Sequence, residues 1–483
     1  IWVAKGTYKP LYLSTDNGTT LSCSMTNRDN SFVIQPNVKI FGGFAGGETD
    51  TTARDFIANE TILSGDIGVA ANNTDNTYHV LLASGAVGNA GIDGFTVTRG
   101  QADVNTNYSL NGNIVYNNNG AGMYVHSASP FLSQCRFINN YATGNGGAFA
   151  AINSNSSFSR NHFSSNTAGS RGGAVSLQQC SSTINNTVFS ANSVNGPGPN
   201  NLAGGLYAEN TSLHVFGSSF LSNSVLHGDG GAAVIDLSTG TVFNSCIISG
   251  NTATNRAGGY YNLSSVSSLH NSLFSGNTAG SGGGAGVYNA LAASLTITNC
   301  TITGNKTTGN GGGLLTASPC IVGNTIIHNN IASLSTNNIY SVFVTPTVNN
   351  CIIQGGYAGM ANYDINPLFV LQQSTSAAPT ILGDYRLQAC SPALNLGDNS
   401  LILPGVSKDL DSLDRIKFTT VDIGAYEKQD IDLINTTWKG INTNWNDKLN
   451  WCGGYIPSDT TNVTVPLTLN NPVIQAGYDN KVK

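Results

Sequence analysis

The sequence predicts an all-β protein: a right-handed parallel β-helix solenoid with three strands per coil, followed by a small β-rich C-terminal module. Three observations predict it. First, one phrase recurs eight times between Cys135 and Asn330 at a step of about 26 residues. An aromatic or aliphatic residue is followed three positions later by Asn, and soon afterwards by small residues rich in paired glycines. Second, apolar positions in each copy are spaced by polar ones, as with Leu295, Ile297, Cys300 and Ile302 in SLTITNCTITGN. Runs this short, at period two and rich in Thr, Ile, Val and Phe, read as strands. Third, no stretch carries an apolar stripe at helical spacing, and the density of Gly and Asn disfavours helices. Three short strands and three turns fit into one period at roughly 3.3 Å per strand residue. A fixed period of this size marks units that bury their apolar faces only against their neighbours.

Each repeated position has an expected role. The phrase runs through Phe137 and Asn140, Phe163 and Asn166, Phe189 and Asn192, Phe220 and Asn223, Ile248 and Asn251, Phe274 and Asn277, Ile302 and Asn305, and Ile327 and Asn330. Stacked coils bring these asparagines above one another. Their amides are then expected to form a ladder like those of cross-β stacks, and Asn also tolerates the left-handed backbone of a turn. A second Asn file, three residues before the apolar position, holds Asn186, Asn271, Asn299, Asn324 and Asn350. Phe137, Phe163, Phe189, Phe220 and Phe274 are expected to stack inside the tube. Pairs such as Gly146–Gly147 and Gly172–Gly173 supply positive φ and close backbone approach.

Composition narrows the function classes. Of 483 residues only 10% are charged and 57 are Gly, with net charge −6 and no basic patch. Nucleic acid and anionic membranes are therefore not expected partners. Nine cysteines are scattered without a CxxC motif or metal spacing. Cys135, Cys246, Cys300 and Cys351 read as buried small hydrophobes, while disulfides involving Cys23 or Cys452 stay open. No signal peptide, membrane-spanning run or lipidation motif is visible. The chain opens within a strand-like segment, IWVAKGTY, and is expected to be an internal piece of a longer polypeptide.

In chain order, residues 1–65 are expected to hold the N-terminal cap and first coils, with the loop Leu11 to Ser31 and the segment Gly46 to Asn59 supplying part of the cap. Residues 66–380 form the β-helix, 381–430 a closing module and 431–483 the start of a second β-rich module. Trp2, Val3, Gly6, Tyr8, VKIFGGFAGGET, Arg54, Asp55, TILSGDI and IDGFTVTRG resemble the opening of right-handed β-helix domains on Bacteroidetes-type surface proteins. The paired GGA-like and FxxN phrases of residues 120–330 are similar to repeats of chlamydial polymorphic outer-membrane proteins, which act as adhesins. Asp384, Tyr385, Leu387, Ser391, Pro392, Ala393, Asn395, Gly397, Arg415 and the run Asp422 to Glu427 resemble a choice-of-anchor closing module. In the expected fold, VDIGAYE is a strand pairing with the last coil's edge. Trp438, Trp445 and Trp451 mark the second module. These resemblances imply an extracellular or outer-cell-surface adhesin or stalk with a glycan or protein ligand. Its binding surface is expected along the edge bearing the insertion Asn195 to Leu202.

The runner-up is a carbohydrate-active enzyme, a polysaccharide lyase or glycoside hydrolase on the same fold. Such sites need grouped ionisable residues. Between Cys135 and Asn330 these are few: Arg136, Arg160, Arg171, Glu209, Asp229, Asp236, Arg256, Lys306 and scattered histidines. Asp229 and Asp236 read as solvated turn charges, since no adjoining coil offers a matching carboxylate. His162, His214, His227, His270 and His328 lack partners at metal spacing, and His162 and His270 read as surface or turn residues. No cofactor is implied. The one candidate for Ca²⁺ is the loop holding Asp409, Asp411 and Asp414, because closely spaced carboxylates suit oxygen ligation; its competing reading is a surface loop paired with Arg415. An ice-binding face would need the Thr296–Thr298 and Thr301–Thr303 pattern to recur, and it does not.

Overall fold

The computed structural model describes residues 1–22, 24, 27–335 and 338–473. It is a parallel β-solenoid with almost no helix. Sheet I has 12 strands, from Trp2–Ala4 to Thr347–Asn349. Sheet II also has 12, from Gly6–Tyr8 to Ile352–Ile353, and sheet III has 11, from Phe32–Val33 to Ile339–Ser341. A fourth ladder of nine two-residue strands, Gln101–Ala102 to Ile331–Ala332, closes one corner. A typical coil visits sheet III at Phe149–Ile152, sheet I at Ser157–Ser159, sheet II at His162–Ser164 and the fourth ladder at Thr167–Ala168. Alternation sends Phe149, Ala151, Phe158 and Phe163 inward, into one continuous core.

Turn chemistry explains the period. Asn140 Nδ2 donates to Asn166 Oδ1 (3.0 Å), and the same bond repeats through Asn192, Asn223, Asn251, Asn277, Asn305 and Asn330 at 2.8–3.0 Å. Each Oδ1 also accepts the backbone N–H of the preceding asparagine, as at Asn166 N to Asn192 Oδ1 (3.0 Å). Each Nδ2 reaches a carbonyl one coil back, as from Asn166 to Phe137 O (2.8 Å). Every amide is thus satisfied away from water, where an orphan group costs ~1–3 kcal/mol. The left-handed conformation falls instead to the preceding residue: Asn139, Ser165, Ala191, Ser222, Gly250, Gly276, Gly304 and Asn329 have φ of 53–68°. The second Asn file is itself left-handed, Asn186 to Asn350 having φ of 46–55°. In Gly146–Gly147 and Gly172–Gly173 the first residue has positive φ, 64° at each, whereas before Gly204 and Gly258 the alanines Ala203 and Ala257 take it. The second cannot carry a side chain, since a Cβ on Gly173 would lie 2.2 Å from Gly204 O.

Phe137, Phe163, Phe189 and Phe220 stack with centroids 4.5–5.2 Å apart and planes within 18°. Phe274 shares their file and is buried, but Ile248 separates it from Phe220. The six free cysteines described are all buried. Four of them alternate along a turn file with Asn161, Thr187, Ser218, Ser272 and Thr325, whose side chains accept the backbone N–H of the coil below. The tube also holds an amide ladder at another corner: Asn262 donates to Asn289 Oδ1 (2.9 Å), and Asn289 to Thr316 Oγ1 (3.0 Å).

The ends and flanks depart from expectation. Leu11–Ser31 and Gly46–Asn59 pack along the side of the tube. Ser14 Oγ meets Tyr108 OH at 2.6 Å, the Arg28 guanidinium lies 4.2 Å from the Tyr78 ring, and Arg54 pairs with Asp93. Trp2, stacked on Phe44 at 4.9 Å, and Tyr8 stay exposed on the first coil. VDIGAYE is not a strand and does not end the stack. The last coil's edge is already taken, with Tyr363 N donating to Cys351 O (2.8 Å) and Ile353 N to Tyr363 O (2.9 Å). The segment docks on the outer face of sheet II instead, where Gly424 N donates to Asn324 O (2.9 Å) and Ala425 N to Thr301 Oγ1 (3.1 Å). Ile423, Leu394 and Tyr385 bury Leu273, Ile326 and Ile352 there. The Thr301–Thr303 face is therefore covered, which removes the ice-binding reading. Cys390 and Cys452 form a disulfide, and Trp438, Trp445 and Trp451 pack at 4.7–6.3 Å. Cys23 lies outside the described residues.

Candidate functional site

The outer face of sheet III is the best candidate surface. In early coils it is covered by the antiparallel hairpin Asn107–Leu110 and Asn113–Tyr116, which buries Leu82 and Tyr124. Beyond Ile152 the covering hairpin ends. There alternation points Tyr207, Val234, Tyr261 and Tyr288 away from the core, but Tyr207, Val234 and Tyr261 are buried against Leu202, Ala203, Ala257 and Leu263, leaving Tyr288 partly exposed; Gln178, Glu209 and Asp236 line up beside them. Tyr261 and Tyr288 stack with centroids 5.1 Å apart and planes 4° off parallel. The corner residues Arg171, Leu202, Asp229 and Arg256 form one wall of this trough.

Its charged groups are tied together. Arg171 lies 5.0 Å over the Tyr207 ring, and its Nη1 donates to Tyr207 OH (3.0 Å) and Glu209 Oε2 (3.4 Å). Gln178 Nε2 donates to the same Oε2 (2.7 Å), and Tyr207 OH donates to Asp236 Oδ2 (3.1 Å). Burial raises the Asp236 carboxyl above the usual range; the Tyr207 bond opposes this and the Glu209 charge adds to it. Burial likewise raises Asp229, against the pull of the Arg256 N–H (2.9 Å) and guanidinium (3.4 Å). Burial also raises the Tyr207 phenol.

Two sequence expectations change here. Glu209 and Asp236 are register neighbours on adjacent strands, whose backbones run about 4.8 Å apart, so an adjoining coil does supply the matching carboxylate. The step from Glu209 to Asp236 is 27 residues, close to the regular period, so this pairing lay within reach of the sequence; the insertion stretches only the preceding step, 31 residues from Gln178 to Glu209. Asp229 and Asp236 are not a pair, since Asp229 bonds to Asn255 and Arg256. The insertion itself borders the trough, where Asn201–Leu202 pairs with Gly228–Asp229.

Among the described residues no group of three or more His, Cys, Asp or Glu could hold a metal. The aspartates of the Ca²⁺ candidate loop diverge. Asp409 is buried and accepts the N–H groups of Asp411, Leu413 and Glu427 (2.8–3.0 Å), while Asp414 is exposed and pairs with Lys408 (2.8 Å). Arg415 is no surface partner. It is fully buried, donating to Asp422 O (2.8 Å) and Gly424 O (2.9 Å) with Glu427 at 3.9 Å. His270 is likewise a buried strand residue against Thr298, and burial pushes it down to about 4. His162 is half-buried beside Ser190 (2.8 Å).

No family model matches the chain, and no curated protein matches it. Among solved structures, it is similar to the crystal structure of pectate lyase Pel9A, at 12% identity and a TM-score of 0.31, covering 88% of this chain and 97% of that one.

Proposed function

We propose that this chain is a non-catalytic β-helix region of a large secreted or cell-surface bacterial protein, an adhesin or stalk that holds an extracellular glycan or protein ligand along the sheet III trough. The carrying observation is that the trough's charges already satisfy one another through Arg171, Glu209, Tyr207 and Asp236. Such a surface is rigid before the ligand arrives, which lowers the cost of binding. Of the outward tyrosines Tyr288 is partly exposed, backed by the buried Tyr261, and its ring supplies contact area at low entropic cost. No described helix is long and apolar enough to cross a membrane. Beads coated with the protein are expected to attach to cells or extracellular matrix, and Tyr288→Ser is expected to weaken attachment severalfold. Attachment by neither protein, or equally by both, would sink the assignment.

One observation favours glycoside hydrolysis as a second reading: Glu209 and Asp236 sit on adjacent strands, and burial raises Asp236. Retaining hydrolases hold two carboxyls ~5 Å apart. Release of reducing sugar from a panel of polysaccharides, abolished by Glu209→Gln, would favour the enzyme over the adhesin.

A further inference from the structure

We infer that the trough's ligand is a neutral glycan, one pyranose ring of which seats between Gln178 and Asn210; this rests on the binding-module reading above. A cavity of about 230 Å³ opens there, lined by Ile152, Gln178, Gln179, Glu209 and Asn210. At about 30 Å³ for each water in the liquid, it holds roughly eight waters, the space of a single sugar ring. It repeats one dipeptide position on two successive coils, because Gln178 stands in register with Glu209, so Gln179 and Asn210 follow as the next pair. Three carboxamides and one carboxylate thus converge on one small space, with Ile152 as an apolar wall.

The chemistry of the lining selects the ligand. A carboxamide both donates and accepts, as a sugar hydroxyl does, so three of them suit a polyhydroxylated ring. The donors from Gln178 and Arg171 both fall on Glu209 Oε2, which fixes that side chain and leaves Oε1 to accept from an incoming hydroxyl. An anionic sugar gains nothing here, since Arg171 Nη1 is already engaged by Tyr207 and Glu209, and the pocket's own formal charge is negative. An organic cation finds that charge already offset by Arg171 at 3.4 Å.

The test is calorimetric titration with neutral methyl hexopyranosides and with methyl uronates, alongside an array of neutral and acidic oligosaccharides. Neutral sugars are expected to bind, Gln178→Ala and Glu209→Gln each losing at least tenfold in affinity, with Lys306→Ala on the opposite corner unchanged. If Gln178→Ala fails to fold, the equally long Gln178→Glu serves in its place. Binding of uronates in preference to neutral sugars, or retention of binding by both pocket variants, would overturn the inference. Beads that attach to cells while no glycan binds would end the sugar pocket and spare the adhesive reading. Failure of attachment and of glycan binding together would end both.

Discussion

The outer face of sheet II behaves as two different surfaces along one tube. Reading up its first outward file, early coils present Thr96, Arg136, His162, Val188 and Ser219; late coils present Ile247, Leu273, Thr301, Ile326 and Ile352. The early file from Arg136 to Ser219 meets solvent, Arg136 reaching Glu60 at 3.2 Å, while Thr96 is buried beside the same Glu60. The late file lies under Tyr385, Leu394 and Ile423 of the closing module. Inside the tube the same coils are alike, with one asparagine ladder running through both halves. The inward face of a solenoid strand is therefore constrained by stacking, while the outward face is free to specify what docks on it.

That comparison breaks first if the interior is not uniform. Asn166→Ala and Asn277→Ala each strip two donors of their acceptor and one carbonyl of its donor, a loss of about 3–9 kcal/mol at ~1–3 per orphan. Equal losses in denaturant unfolding are expected from the early and late halves; a loss confined to one half would show that the ladder is not a shared element.

The outward face should split the halves. Ile326→Asp buries a charge under the closing module and is expected to cost more than ~3 kcal/mol, whereas Val188→Asp on the open half stays within ~0.5. Similar midpoints for both variants would refute the division of this face.

Acidity should act most strongly on the docked half. Glu427 and Asp422 are buried around Arg415, and desolvation, with their mutual repulsion at Glu427, holds both carboxyls well above the usual range. A carboxyl raised on folding favours the folded state below its unfolded pKa and loses that contribution as pH rises through the folded value. Melting of the closing module is thus expected to fall between pH 5 and 8, and Glu427→Gln is expected to flatten the slope. A melting temperature rising over that window would contradict the burial argument.

The smallest effect concerns rings. Phe189 stacks on Phe163 and Phe220, while Phe274 lies between Ile248 and Ile302. Each aromatic pair adds ~0.5–1.5 kcal/mol beyond burial, so Phe189→Leu is expected to cost about 1–3 kcal/mol more than Phe274→Leu. Equal costs in matched unfolding curves would mean that the rings contribute only area.

How much of the site was legible follows the same division. The outward tyrosines could have been found by alternation once Leu206 and Tyr260 were placed inside, because Tyr207 and Tyr261 then face out. The switch from Arg136 and His162 to Leu273 and Ile326 was likewise a written signal for a covering module. The Glu209–Asp236 pairing was legible too, since the two lie 27 residues apart, one ordinary step; the insertion obscures only the register of Gln178 with Glu209, 31 residues on. Cys390 and Cys452, 62 residues apart, carry no local mark of their bond.

By itself the sequence determined the coil: its length, its strands, and the residue types at each turn, since those follow from backbone sterics and from the need to satisfy buried amides at every step. Only the tertiary structure decided which strands pair across an insertion, which flank receives the closing module, and which cysteines are bonded. Those outcomes depend on side chains brought together from distant coils, and contacts of that kind leave no periodic trace in a single chain.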